Sequence, residues 1–150
     1  MTEANFWGLI AQLDWAHTGE DDAVLAPVIQ SLSTGPVADI EAFETILAEK
    51  LFALDTERHA RHIGEYAYTD PDEPFDVDWF LYARCCVVAN GRKFYEAVLA
   101  NPENMPKNIE FEALLRVARR AHELKTGAEF DFVPPLSYET FSNKAGWAAA

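Results

Sequence analysis

Apolar residues recur three and four positions apart along much of this chain. The pattern is clearest after Pro36, where Ile40, Phe43, Leu47, Leu51 and Leu54 form one stripe with Ile46 alongside. Glu41, Glu44 and Glu49 fall mostly on the opposite side. Lys50 borders the stripe, where its stem can run along apolar surface while the ammonium reaches water. The same spacing predicts a first helix from a Thr2 cap to about Ala16, carrying Phe6, Leu9, Ile10 and Leu13. A second starts near Glu20-Asp21-Asp22, whose carboxylates favour the positive end of a helix dipole, and carries Val24, Leu25, Val28, Ile29 and Leu32. Ser33-Thr34-Gly35-Pro36 ends it. A short helix from Glu57 to Ile63 follows a Thr56 cap and stops at Gly64.

The most apolar stretch is DVDWFLYARCCVVANGRKFYEAVLAN, residues 76–101. Its β-branched and aromatic content also suits a strand. Its length, an acidic cap at Asp76 or Asp78 and the Asn90-Gly91 stop favour a buried central helix at about 77–89. A return helix, Arg92 to Ala100, places Phe94, Tyr95, Val98 and Leu99 inward. The last helix spans Ile109 to Thr126, with Asn108 as its cap and Gly127 just past its end; Phe111, Leu114, Leu115, Ala118 and Leu124 face the core. The tail, 127–150, has no helical period but holds Tyr138, Phe141 and Trp147, so it is expected to pack across the helices as extended chain. The expected fold is all-α: one domain over 1–150, six or seven helices around the central one, wrapped by an aromatic C-terminal segment.

Charge sharpens this picture. The net charge of −13 argues against nucleic-acid binding, which needs a basic footprint, and against docking on anionic membrane. Residues 1–57 hold eleven acids and one base, residues 65–78 add six acids and no base, and residues 84–125 carry a local excess of +3. A solvated surface explains such a distribution, and so does an acidic N-terminal half that docks a basic protein partner. Cys85 and Cys86 are adjacent and cannot form an ordinary disulfide with each other, which suits a reducing cytoplasm. The N-terminus lacks the basic region of a signal peptide, and no apolar run reaches the ~18 residues that span a bilayer. The expected location is cytoplasmic, as monomer or homodimer.

The segments FWGLI, FETILAEKLFALD, FLYARCCVVANGRKFYEAVLANP and SYETFSNKAGW resemble the bacterial domain-of-unknown-function family 4240, from about Phe6 to Trp147. The resemblance implies one domain in a bacterial, intracellular protein. It implies no activity, cofactor or catalytic residue.

Candidate chemistry centres on Arg84, a guanidinium inside an apolar helix that needs acceptors or a cavity. Asp78, Asp55, Glu96 and carbonyls of the tail are candidate partners for a structural role. The alternative is a floor for an anionic ligand, shared with Lys50 if the two meet. The ligand set is Arg84, Lys50, Asp55, Asp78, Tyr82, Asn90 and Tyr138. His59 and His62 share one helix face, but the pattern lacks HExxH, so they are only a subordinate metal alternative and no cofactor is expected. Cys85 and Cys86 lie in apolar surroundings that make thiols inert. The isolated glycines exclude phosphate-cradling loops, and no GxSxG is present. The tail around Tyr138 reads as a packed strap or as a lid over a pocket near Arg84. Two functions follow. One is a non-enzymatic binding or regulatory module with a protein partner on its acidic half. The other is a small enzyme or ligand-binding protein with a polar pocket around Arg84 and Lys50 for an anionic molecule.

Overall fold

The computed structural model describes residues 1–148. The helices are α1 (Glu3–Ile10), α2 (Asp21–Thr34), α3 (Val37–Ala53), α4 (Glu57–Ala60), α5 (Val77–Ala89), α6 (Arg92–Ala100), α7 (Val117–Thr126) and α8 (Lys144–Trp147). Tight 3-10 turns at Trp15–His17, Pro102–Asn104 and Glu112–Arg116 join some of them, and no strand occurs among the described residues. The fold is all-α, and six of the helices exceed a single turn.

The stripe on α3 explains how the core is built. Ile40, Phe43, Leu47, Leu51 and Leu54 are all fully buried. Each such side chain contributes about 1.5–3 kcal/mol of transfer free energy. α3 packs against α5 and α7, while α2 lies along α7 and α5 packs on α6 and on the Glu112–Arg116 turn. Asp76 caps α5 by accepting from the Trp79 amide at 2.9 Å. From Phe80 to Ala89 only Tyr82 escapes full burial, so α5 lies inside the bundle with the cationic Arg84 in its midst.

Several boundaries differ from the periodicity, each for a local reason. α1 stops at Ile10 because the chain bends: the Asp14 amide donates to the Val24 carbonyl and the Asp14 carboxylate caps the next turn at Ala16. Leu13 is buried by that bend instead of by a longer helix. α4 spans Glu57–Ala60, short of Ile63. Asn108 does not cap α7. It adopts a left-handed conformation and its side chain accepts from the Glu65 amide at 2.7 Å, tying two loops together. Phe111 then donates its amide to the Tyr82 carbonyl on α5, and α7 begins only at Val117. Leu124 and Leu99 are exposed at 59% and 41%, where the periodicity places them inward. Gly127 takes the left-handed conformation that closes α7.

Beyond Gly127 the chain is irregular until the single turn α8. Trp147 sits among Tyr68, Phe75, Phe80 and Phe141, with ring centroids 4.5–6.2 Å away. We call residues 128–148 the strap. Gly146 permits its close approach: a Cβ there would lie 2.8 Å from the Asp55 carbonyl oxygen.

Candidate functional site

The last turn of α3 exposes backbone carbonyls that lack intrahelical donors. Three of them are met by side chains from elsewhere. Tyr95 donates its hydroxyl to the Lys50 carbonyl at 3.0 Å, Arg84 donates to Leu51 at 2.9 Å, and the Asn143 amide donates to Phe52 at 3.1 Å. A cation at the negative end of a helix is electrostatically favoured, which helps explain how Arg84 tolerates complete burial.

Arg84 also binds the strap. One terminal nitrogen donates to the Tyr138 carbonyl and the other to the Thr140 hydroxyl, both at 3.0 Å. Its guanidinium lies 4.6 Å from the centre of the Phe80 ring. Burial lowers its pKa to about 10, with Asp55 acting in the opposite direction, so it stays charged at neutral pH. Asp55 is equally buried. Its carboxylate accepts from the Phe141 amide at 3.2 Å, the Asn143 amide at 3.0 Å and the Trp147 indole at 2.8 Å. Arg84 and Asp55 therefore hold two successive stretches of the strap, each bonding the strap rather than the other. Among the tail carbonyls and acids considered as Arg84 partners, the Tyr138 carbonyl is bonded directly.

The remaining sequence-derived candidates disperse. Lys50 pairs with Glu3 and lies beside the Trp7 and Tyr95 rings, none of which bonds the Arg84 guanidinium. Asp78 is exposed and Tyr82 half-buried. Asn90 donates to the Cys86 carbonyl at 2.7 Å and borders a cavity of about 490 Å³ with Trp15, Val24 and Phe111. Cys86 lines the same cavity, but burial pushes its thiol up to about 11, and Cys85 is pushed up further, so both remain protonated at neutral pH. His59 is buried, with Nε2 donating to the Val98 carbonyl at 3.0 Å and Nδ1 beside the Thr56 hydroxyl at 2.7 Å. Both ring nitrogens are thus engaged, which removes His59 and His62 as a metal pair. Among the described residues no group of three His, Cys, Asp or Glu side chains is placed to hold a metal ion.

One residue escaped the sequence reading. Glu44, assigned there to the wet side of α3, is only 7% exposed. Its Oε2 is buried without a hydrogen-bond partner, and burial raises its pKa from 4.5 to about 7. It lines a cleft of about 480 Å³ whose other walls are strap residues 132–139. A signal for its burial was present: Glu44 follows Ile40 by four residues and precedes Leu47 by three, which places it within the stripe.

These features define an all-helical protein with a buried cation and a buried anion that clamp a C-terminal strap, beside one open cleft with a carboxyl at its base. The chain belongs to the family described as protein of unknown function (DUF4240), whose model matches residues 1–124. The strap, including SYETFSNKAGW, lies beyond the matched residues, so the family match is shorter than the resemblance read from the sequence. No curated protein and no solved structure matches the chain. No helix among the described residues is long and apolar enough to cross a membrane.

Proposed function

We propose that this protein is a non-enzymatic binding or regulatory module that docks a basic protein partner through its acidic surface. The observation carrying this reading is the 65–78 loop. Glu65, Asp70, Asp72, Glu73, Asp76 and Asp78 are all exposed there, and none forms an ion pair among the described residues. Other acids of the N-terminal half are partly neutralised within the chain: Asp21 and Asp22 pair with Arg116 and Arg120 across α2 and α7, and Glu3 pairs with Lys50. Six unpaired acids are therefore gathered on the loop, with Arg61 beside it donating to the Thr69 carbonyl. The loop is also braced by aromatic contacts, Tyr66 on Trp79 and Tyr68 on Phe75, with centroids 4.7 and 5.3 Å apart. A charged surface held in place favours fast, salt-sensitive association with an oppositely charged partner. By contrast, Arg84, Asp55, His59 and the two thiols are bonded or shielded inside the fold, and neither Arg84 nor Lys50 lines either of the two cavities described above, which favours the surface reading over an anionic ligand held by those two cations.

The test is affinity capture of a stoichiometric partner from the native cell, comparing the wild type with a variant carrying Asp70→Asn, Asp72→Asn, Glu73→Gln and Asp78→Asn. Asp76 is retained because it caps α5. The expected result is a basic partner whose capture weakens with added salt and is lost in the variant. Capture of the same partner by both proteins at equal strength refutes the reading.

A further inference from the structure

The Glu44 cleft stands apart from the acidic loop and rests on different residues. Its walls come from strap residues 132–139, which arch over one side chain of α3. The arch is fixed at both ends. Upstream, Phe132 packs on Phe130, which packs on His122 of α7 with centroids 5.9 and 5.1 Å apart. Downstream, Arg84 holds the Tyr138 carbonyl. Pro134 and Pro135 stiffen the chain between those anchors. The cleft is thus a standing feature of the fold, and its volume of about 480 Å³ falls within the range of small-molecule sites.

Its lining is chemically one-sided. Phe132, Val133, Pro134 and Leu136 provide apolar surface, Glu44 and Glu139 provide carboxyl groups, and no basic side chain lines it among the described residues. Val133 is 81% exposed and Leu136 37%, so apolar surface is open to solvent beside the cleft. Glu44 is more than nine-tenths buried, and its Oε2 faces no donor from the chain. A buried acceptor without a donor is costly, and a buried carboxylate without a cation more so.

We propose that this cleft binds an alkylammonium group, whose N–H donors meet the Glu44 carboxylate and whose carbon chain lies against Phe132, Val133 and Leu136. The group comes from a free amine or from a lysine side chain; the chemistry recognised is the same. An ammonium in the cleft donates a charge-assisted hydrogen bond to the Glu44 carboxylate and neutralises its buried charge. The aromatic faces of Phe132 and Tyr138 add attraction for a cation. Divalent metals are disfavoured because they demand more oxygen ligands than Glu44 and Glu139 supply. Without ligand, Glu44 carries a proton through much of the range below pH 7. When the ammonium binds, the carboxyl gives that proton to solvent and the ion pair takes its place. The titratable groups facing Glu44 are Cys85 from α5 and Tyr138 and Glu139 from the strap; burial keeps the first two protonated at neutral pH.

The experiment is an NMR and calorimetric titration of the full chain with n-butylammonium chloride, and in parallel with Nα-acetyl-lysine methylamide, using sodium chloride and sodium butyrate as controls. We expect saturable shifts confined to residue 44 and residues 132–139, weakened about tenfold or more by Glu44→Gln and only about two- to threefold by Glu139→Gln. Calorimetry in buffers of different ionisation enthalpy should show proton release at pH 6 that largely disappears at pH 8. Tighter binding of the lysine derivative assigns the source as a protein side chain; equal binding assigns a free amine. Thermal melting of Glu44→Gln, at least as high as wild type at pH 8, certifies that the variant folds. Absence of saturable shifts with both amines, identical shifts in Glu44→Gln, or an equal response to butyrate overturns the proposal.

Discussion

Two buried polar centres lie beneath the same strap, and they differ in one respect. At the Arg84–Asp55 centre the strap supplies most of what each charge lacks, leaving the Arg84 Nε donor without an acceptor among the described residues. Tyr138 and Thr140 accept from Arg84, while Phe141, Asn143 and Trp147 donate to Asp55. At Glu44 the strap supplies no donor to Oε2 and leaves an opening instead. A buried charge that makes several bonds within the chain, as Arg84 does through both terminal nitrogens, is architecture. One that makes none and borders an opening points to something outside the chain. By that criterion Arg84, the residue the sequence singles out, holds the fold together, and Glu44, which the sequence reading passed over, marks the site.

The sharpest way to break the comparison is Asp55→Ala. This substitution orphans three donors and removes the anion that offsets Arg84. Loss of one member of a buried charged network costs about 3–5 kcal/mol. Chemical denaturation should show that loss, and Trp147 fluorescence should shift to the red as the indole loses both its acceptor and its aromatic surroundings. A loss below about 1 kcal/mol would mean that Asp55 does not anchor the strap.

The two centres also differ in how far they can be read from the chain alone. Helical periodicity located α2 and α3 closely, because their apolar faces largely coincide with the faces they bury, and it gave the bounds of α6 although only Tyr95 and Val98 of its apolar face are buried. It failed at 109–116, where the Phe111 amide is drawn to the Tyr82 carbonyl, a contact with no signature in local spacing. Arg84 was legible because a lone cation in an apolar run is conspicuous. Its partners were not, since they lie 33, 54 and 56 residues away in sequence. Glu44 was masked by its company: with Glu41 and Glu49 nearby it reads as part of a solvated face, although its register is that of the core. Long-range closure by the strap decides which acid is wet, and hydrophobic spacing carries no information about it.

Glu44→Gln tests the other centre. The group's folded pKa, about 7, lies above its ordinary value of 4.5, so the folded state holds the proton more tightly than the unfolded chain does. Stability associated with Glu44 is therefore fully present below about pH 4.5 and is lost as pH rises through 7. The loss is about 3 kcal/mol across that window. Gln cannot ionise, so the variant should lack this component and exceed the wild type in stability above pH 7. Denaturation midpoints measured at pH 4.5, 6 and 8 decide it: parallel curves for the two proteins would place Glu44 in water.

A smaller effect is expected from Gly146→Ala, which probes how closely the strap must approach. The added methyl meets the Asp55 backbone and the Thr56 side chain, both 2.8 Å from its position. Backbone cannot yield as a flexible side chain would, so the strap must lift. Overpacking of this kind costs about 1–3 kcal/mol. Because Asp55 holds the strap on either side of this glycine, amide exchange should accelerate at Phe141 and Asn143 and leave α2 and α7 unchanged. Uniform acceleration would show that strap and bundle open as one unit.

The smallest effect sharpens the contrast between two cations that lie close in the fold but not in role. Lys50 and Arg84 both border the end of α3, one through its own carbonyl and the other through that of Leu51. The Lys50 side chain is 17% exposed; its ammonium pairs with an exposed Glu3 and lies 6.0 and 5.7 Å from the Trp7 and Tyr95 ring centres. Removing an exposed pair costs about 0.2–1 kcal/mol and is screened by salt. Lys50→Gln should therefore lower stability by less than about 1 kcal/mol, and the deficit should shrink in 1 M sodium chloride, while losses at the Asp55 centre persist there. A salt-resistant loss of several kcal/mol from Lys50→Gln would place its ammonium inside the buried network, and the separation of the two cations would fail with it.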